Sequence, residues 1–113
     1  MHEASAAQEI YNIVDQTIQE NELHSVSKVF LEVGEFSCIQ ADQLSYFYHF
    51  LTEGTIQENA VLEVKRTKAT AYCPVCKKTF SVMNVDLICP VCGTSGASIE
   101  SGFGMEIKCI EGE

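Results

Sequence analysis

Near the start of the chain, Ala7, Ile10, Val14 and Ile18 recur at three- and four-residue intervals, with Tyr11 beside them. Glu9, Gln16, Gln19 and Glu20 fall on the other faces. That period predicts an amphipathic helix over about 5–21. The period then changes to two: Val29, Leu31 and Val33 alternate with Lys28 and Glu32, and Gly34 closes the run. A half-buried strand over 26–33 follows from this alternation. Leu44, Phe47, Tyr48 and Leu51 restore the helical spacing over 41–52, with Gly54 as the stop. Leu62 and Val64 set against Glu63 and Lys65 predict a second strand over 60–68. Met105, Ile107 and Cys109 against Glu106 and Lys108 predict a third, entered through Gly102 and Gly104. On this reading the aromatic group Tyr46, Phe47, Tyr48 and Phe50 is core packing at helical spacing. Cys38 is a small buried hydrophobe.

The order helix, strand, helix, strand, cysteine-rich segment, strand defines the fold class as α/β (α+β). A small three-stranded sheet packs with two helices and carries an inserted zinc-ribbon-like module. Residues 1–70 and 97–113 form the discontinuous α/β body, and 71–96 form the insert. A module of that size has little core of its own, so a bound metal would supply its folding energy.

The insert holds Cys73-Pro74-Val75-Cys76 and Cys89-Pro90-Val91-Cys92. Two residues between paired cysteines let one tight turn aim both sulfurs at a single point, and two such turns complete a tetrahedral, all-thiolate site. Proline in each pair fixes φ, and Gly93 supplies permissive backbone after the second pair. Cys73, Cys76, Cys89 and Cys92 are therefore the expected ligands of a closed, structural Zn(II), with iron in a rubredoxin-like site left open by the same spacing. A catalytic zinc would keep one position for water, and a thioredoxin-type redox site needs one pair, not two.

Charge and composition narrow the class. The 113 residues carry a net charge of −9, which disfavours nucleic acid as a partner. The charge is uneven, since residues 1–64 hold eleven acids against Lys28 alone. Residues 65–96 hold Lys65, Arg66, Lys68, Lys77 and Lys78 against Asp86. No signal peptide or membrane-spanning apolar run is expected, and six cysteines without a secretory leader fit a reducing cytoplasm. No phosphate-cradling loop, nucleophile elbow or zincin motif is present, so the chain is not expected to be an enzyme. His24 and His49 read as surface residues without spaced partners. The competing reading is a zinc-ribbon module that docks protein or nucleic acid through its basic strip.

The chain begins Met1-His2-Glu3. A free α-amine on Met1, the backbone nitrogen of His2 and its imidazole can close two fused chelate rings on one ion. Glu3 offers a fourth donor through its backbone nitrogen or carboxylate. Nitrogen-rich planar sites of this kind suit nickel(II) or copper(II), although a lone terminal histidine is ordinarily just solvated. Taken together, Met1-His2-Glu3, the sequence Gly34-Glu35-Phe36-Ser37-Cys38 after the first strand and the two C-P-x-C knuckles resemble the HypA family of nickel metallochaperones. The resemblance spans essentially the whole chain. It implies Ni(II) held as cargo by Met1, His2 and Glu3 and passed to the [NiFe]-hydrogenase large subunit, with a HypB-type GTPase as partner. It further implies occasional service to urease maturation proteins, and a structural zinc on Cys73, Cys76, Cys89 and Cys92.

Overall fold

A computed structural model describes residues 3–83 and 87–113. Met1 and His2, two members of the expected terminal chelate, lie outside the described residues, as does Asp86. Helix α1 (Glu3–Asn21) buries Ala6, Ala7, Ile10, Val14 and Ile18, the stripe that its period predicts. It ends where Glu22 takes a left-handed φ of 53° and the Leu23 amide donates to Ile18 O at 3.0 Å. This is a Schellman-type stop with glutamate where glycine is usual.

Strand β1 (Val26–Gly34), helix α2 (Ala41–Thr52) and strand β2 (Val61–Thr67) follow. β1 and β2 pair in parallel, from Lys28 opposite Val61 to Gly34 opposite Thr67. A parallel pair needs a crossover, and α2 provides it. The last strand of the chain, β6 (Met105–Gly112), adds antiparallel to the other side of β1, giving the sheet order β2-β1-β6. Val29, Leu31 and Val33 of β1 pack with Ile10, Val14, Leu44 and Tyr48 of the two helices into one core.

Three local expectations are corrected. The alternation of the last strand breaks at a bulge: Phe30 faces Cys109 but Leu31 faces Ile107, leaving Lys108 as the extra residue. Past that point the phase flips, so Ile110 is half-buried and Cys109 is exposed. Cys38 is exposed too. It occupies a left-handed turn position with φ of 62°, which carries its side chain away from the core. Of the α2 aromatics only Tyr48 is buried, while Tyr46, Phe47 and Phe50 are exposed. The buried line of α2 runs through Leu44, Tyr48 and Thr52 instead, because α1 covers one side of this helix only.

Tyr48 also organises the segment after α2. Its hydroxyl donates to Gln57 Oε1 at 2.7 Å, and Gln57 Nε2 donates to Tyr11 O at 3.2 Å. Burial, with Tyr11 nearby, pushes the Tyr48 hydroxyl pKa up to about 12. Tyr48→Phe would leave a buried amide oxygen without its donor. A loss of about 1–3 kcal/mol in urea unfolding is the expected outcome, and an unchanged midpoint would show that water replaces the phenol.

The cysteine-rich segment builds a second sheet from β3 (Thr70–Cys73), β4 (Lys78–Ser81) and β5 (Ser98–Ser101), in the antiparallel order β4-β3-β5. Four-residue strands are too short for alternation to announce them. Their buried cluster is small: Ala69, Ala71, Val82 and Ala97, with Phe36, Phe80, Leu87 and Phe103 partly covered. The residues after β1 clamp both chain crossings into this sheet. The Glu35 amide donates to Thr67 O and the Phe36 amide to Gly102 O, each at 2.9 Å. Glu35 Oε1 accepts from the Ala69 amide at 2.9 Å. The molecule is elongated, 54 × 26 × 16 Å with a radius of gyration of 17.1 Å, against about 13 Å for a compact chain of this length. The second sheet projects from the first.

Candidate metal centre

The two knuckles share one backbone design. After Cys76, Lys77 takes φ of 55°, and after Cys92, Gly93 takes φ of 73°. The Lys77 amide donates to Cys73 O at 2.8 Å, and the Gly93 amide to Cys89 O at 2.9 Å. Each Cys-Pro-Val-Cys turn is thus closed by a left-handed residue. The glycine was legible in the sequence. Its counterpart Lys77 was not, although it holds the equivalent place in the repeat.

These turns bring four sulfurs together. Cys73, Cys76, Cys89 and Cys92 have their Sγ atoms all within 4.8 Å of one another. Cys73 and Cys92 stand 3.7 Å apart, and Cys76 and Cys89 stand 3.9 Å apart. A tetrahedral zinc with Zn–S bonds of about 2.3 Å requires sulfurs about 3.8 Å apart. The donor set fits a structural zinc site, and four thiolates leave no position for an exchanging ligand.

The hydrogen bonds around the quartet act in opposite directions on Cys92 and Cys76. The Cys76 amide donates to Cys73 Sγ at 3.4 Å, and Cys92 Sγ lies 3.1 Å from Thr94 Oγ1. The hydroxyl and amide of Thr94 pull the Cys92 pKa down to about 6. The hydrogen bond with Cys92, then burial and the other thiols, pushes Cys76 up to about 12. Without a metal the quartet therefore holds protons that zinc must displace. Thr94 was not singled out from the sequence. Its only signal is a hydroxyl two residues after the last knuckle cysteine.

At the other end of the chain, Glu3 sits in the first turn of α1, and its Oε1 accepts from the Gln40 amide at 3.2 Å. Gln40 is the N-cap of α2 and makes no side-chain cap bond of its own, so Glu3 caps that helix from outside. The start of α1 is thereby tied to the start of α2, beside a cleft of about 400 Å³ lined by Gln40, Ala41, Asp42 and Arg66. His24 and His49 are both exposed.

Fold and site define a class: a small α+β protein of two helices and two sheets with a four-thiolate metal module. Comparison with known proteins narrows it. A family model described as "Hydrogenase/urease nickel incorporation, metallochaperone, hypA" matches residues 1–112. The chain belongs to the HypA family of nickel metallochaperones for hydrogenase maturation, as its motifs led one to expect. It is 32% identical over 114 residues to hydrogenase maturation factor HypA of Caldanaerobacter subterraneus subsp. tengcongensis, with 100% of each chain covered. It is 30% identical over 111 residues to the factor of the same name from Actinobacillus succinogenes, covering 98% of this chain and 96% of that one. The fold matches the solution structure of the nickel metallochaperone HypA from Helicobacter pylori. That match has a TM-score of 0.76 at 21% identity, over 99% of this chain and 97% of the other. Among the described residues, no helix is long and apolar enough to cross a membrane.

Proposed function

We propose that this chain binds Ni(II) through the Met1 α-amine, His2 and Glu3 and delivers it to the [NiFe]-hydrogenase large subunit. A HypB-type GTPase acts beside it, and urease maturation proteins are further clients. The chain itself is not catalytic and works in the cytoplasm. Zinc on Cys73, Cys76, Cys89 and Cys92 is structural. Residues 1–70 and 97–113 form the nickel-binding body and 71–96 the zinc unit. The second sheet, whose strands run from Thr70 in β3 to Ser101 in β5, supports drawing that unit slightly wider.

One observation carries the reading: four sulfurs already at zinc spacing make a closed cage, and a closed cage is a poor place for cargo. A nickel chaperone must release its ion, so the cargo site belongs elsewhere. The only other cluster of soft and borderline donors that the sequence offers is at the terminus. The bond from Gln40 to Glu3 supports a terminal site anchored at its third residue.

The test compares nickel binding by calorimetry in the wild type, an N-terminally acetylated or tagged form, and His2→Ala. Each change is expected to abolish the nickel site and leave zinc content untouched. Wild-type affinity should also fall from pH 8 to pH 6, because imidazole (about 6.5) and α-amine (about 7.7–8.0) take up protons across that range. Nickel binding that survives all three changes would mean that the ligands lie elsewhere.

A further inference from the structure

Leu62, Val64 and Arg66 alternate onto one face of β2, and the first two belong to the core beneath the helices. Arg66 pairs in register with Val33, one step from the end of β1. Its exposed guanidinium therefore emerges at the rim of that core, not on the open face of the sheet with Glu63 and Lys65. There its Nη1 donates to Ile39 O at 2.8 Å. Ile39 is fully buried and closes the turn that leads into α2. The same peptide unit carries the Gln40 amide, which donates to Glu3 Oε1 at 3.2 Å. One peptide plane is thus held on both edges, by a cation on its oxygen and a carboxylate on its nitrogen.

A trans peptide is planar, with its C=O and N–H on opposite edges, so fixing the oxygen fixes where the N–H points. A guanidinium on the oxygen also polarises the unit, and hydrogen bonds in series strengthen one another. The Gln40 N–H is thereby made a better donor to the Glu3 carboxylate. The dipole of α2 disfavours a cation beside its first turn, where Arg66 lines a cleft with Gln40, Ala41 and Asp42. Asp42 offsets that charge within the cleft, while the hydrogen bond goes to the peptide. What Arg66 grips is the link between the start of α2 and the start of α1.

We infer that Arg66 is a positioning residue for the nickel site: through the Ile39–Gln40 peptide it fixes the Glu3 carboxylate, so that the terminal donors close on the ion from an anchored third residue. This rests on the terminal site proposed above. Preorganisation lowers the ordering cost of binding, and that cost is greatest at a chain end, which is otherwise poorly ordered. Arg66 acts on the peptide and not on the ion. A cation close to a divalent ion also repels it, so positioning and repulsion have opposite signs, and a measured affinity separates them.

The experiment measures Ni(II) affinity by calorimetry on the full-length, zinc-loaded chain. It compares wild type, Arg66→Met, Arg66→Lys, Glu3→Ala, the double variant Arg66→Met/Glu3→Ala, and His2→Ala. Circular dichroism and zinc content on the same samples establish that each variant keeps its fold. Methionine keeps an apolar stem and removes the donors, and losing this one indirect hydrogen bond should weaken nickel binding about five- to tenfold. Arg66→Lys retains a charged donor and should recover most of the loss. In the Glu3→Ala background Arg66→Met should change nothing further, because the carboxylate it positions is gone. Amide exchange of Gln40 in nickel-free protein reads the same linkage without the ion, and should quicken in both Arg66→Met and Glu3→Ala. Where Glu3→Ala binds no nickel at all, the exchange result decides. Unchanged affinity or unchanged Gln40 exchange in Arg66→Met overturns the inference, as does tighter binding, which would make the guanidinium a source of repulsion. An equal loss with and without the Glu3 side chain means that Arg66 acts by another route, and overturns it too. These results leave the terminal site standing provided His2→Ala abolishes nickel binding. Nickel retained by His2→Ala overturns that site and the inference together.

Discussion

Replacing Cys73 with serine is expected to release zinc and melt the second sheet while the helical layer stays folded. Cys73 ends β3 and is buried. Its carbonyl accepts from Lys77 and its sulfur from Cys76, so the residue belongs to the ladder, the turn and the metal sphere at once. The apolar cluster beside it contains three alanines and one valine among its buried members. A buried valine contributes about 1.5–3 kcal/mol and alanine less, whereas zinc binding in small metal-folded units is worth about 10–16 kcal/mol. Metal therefore outweighs packing in this part of the molecule by a wide margin. Hydrogen exchange would read the result residue by residue. Amides of Ala71 and Tyr72 should lose protection in Cys73→Ser, and those of Val29 and Leu31 should keep it. A strong chelator should reproduce the pattern in the wild type. If β3 stayed protected after zinc was lost, the sheet would be held by Phe36, Phe80 and Phe103 rather than by the metal.

The same asymmetry explains what the sequence disclosed. α1, β1, α2 and β2 bury enough apolar surface for their periods to be read directly, and their positions follow the pattern within a residue or two. The four cysteines were legible because coordination geometry dictates their spacing. What stayed hidden was fixed by neighbours instead of by period. The bulge at Lys108 arises from how β6 meets β1, and nothing in Met105–Gly112 marks it. Tyr46, Phe47 and Phe50 share the helical spacing of core residues, so spacing alone could not separate a face covered by α1 from one left open. Cys38 looked like a small hydrophobe in an apolar setting. Its left-handed backbone comes from the turn that carries Ile39 into the core and Gln40 to Glu3. The Glu3–Gln40 bond spans 37 residues, and no local pattern encodes a contact of that range.

Gly34 and Gly102 should be the least replaceable glycines outside the knuckles, for reasons that can be separated. At Gly34 the obstacle is space: a Cβ would stand 2.1 Å from the Gly102 carbonyl carbon. At Gly102 it is space and backbone together, since its Cβ would stand 2.2 Å from the Ala69 Cα and φ is +91°. Both obstacles are backbone atoms, which cannot turn aside as a flexible side chain would. These contacts sit where Glu35 and Phe36 clamp the two crossings into the second sheet, so relieving them means parting the sheets. A left-handed L-residue costs about 1–2 kcal/mol and overpacking about 1–3 kcal/mol, so Gly102→Ala should lose about 2–5 kcal/mol of a stability that is typically 5–15 kcal/mol. Gly34→Ala should lose somewhat less. Two other glycines supply the controls. Gly54 has φ of +78° with nothing within 4 Å, and Gly104 has neither a positive φ nor a neighbour within 4 Å. Urea unfolding should therefore rank the alanine variants Gly104, Gly54, Gly34, Gly102 in order of increasing loss. A Gly102→Ala variant no less stable than Gly54→Ala would show that the sheets shift apart at little cost and that their close approach is not what joins them.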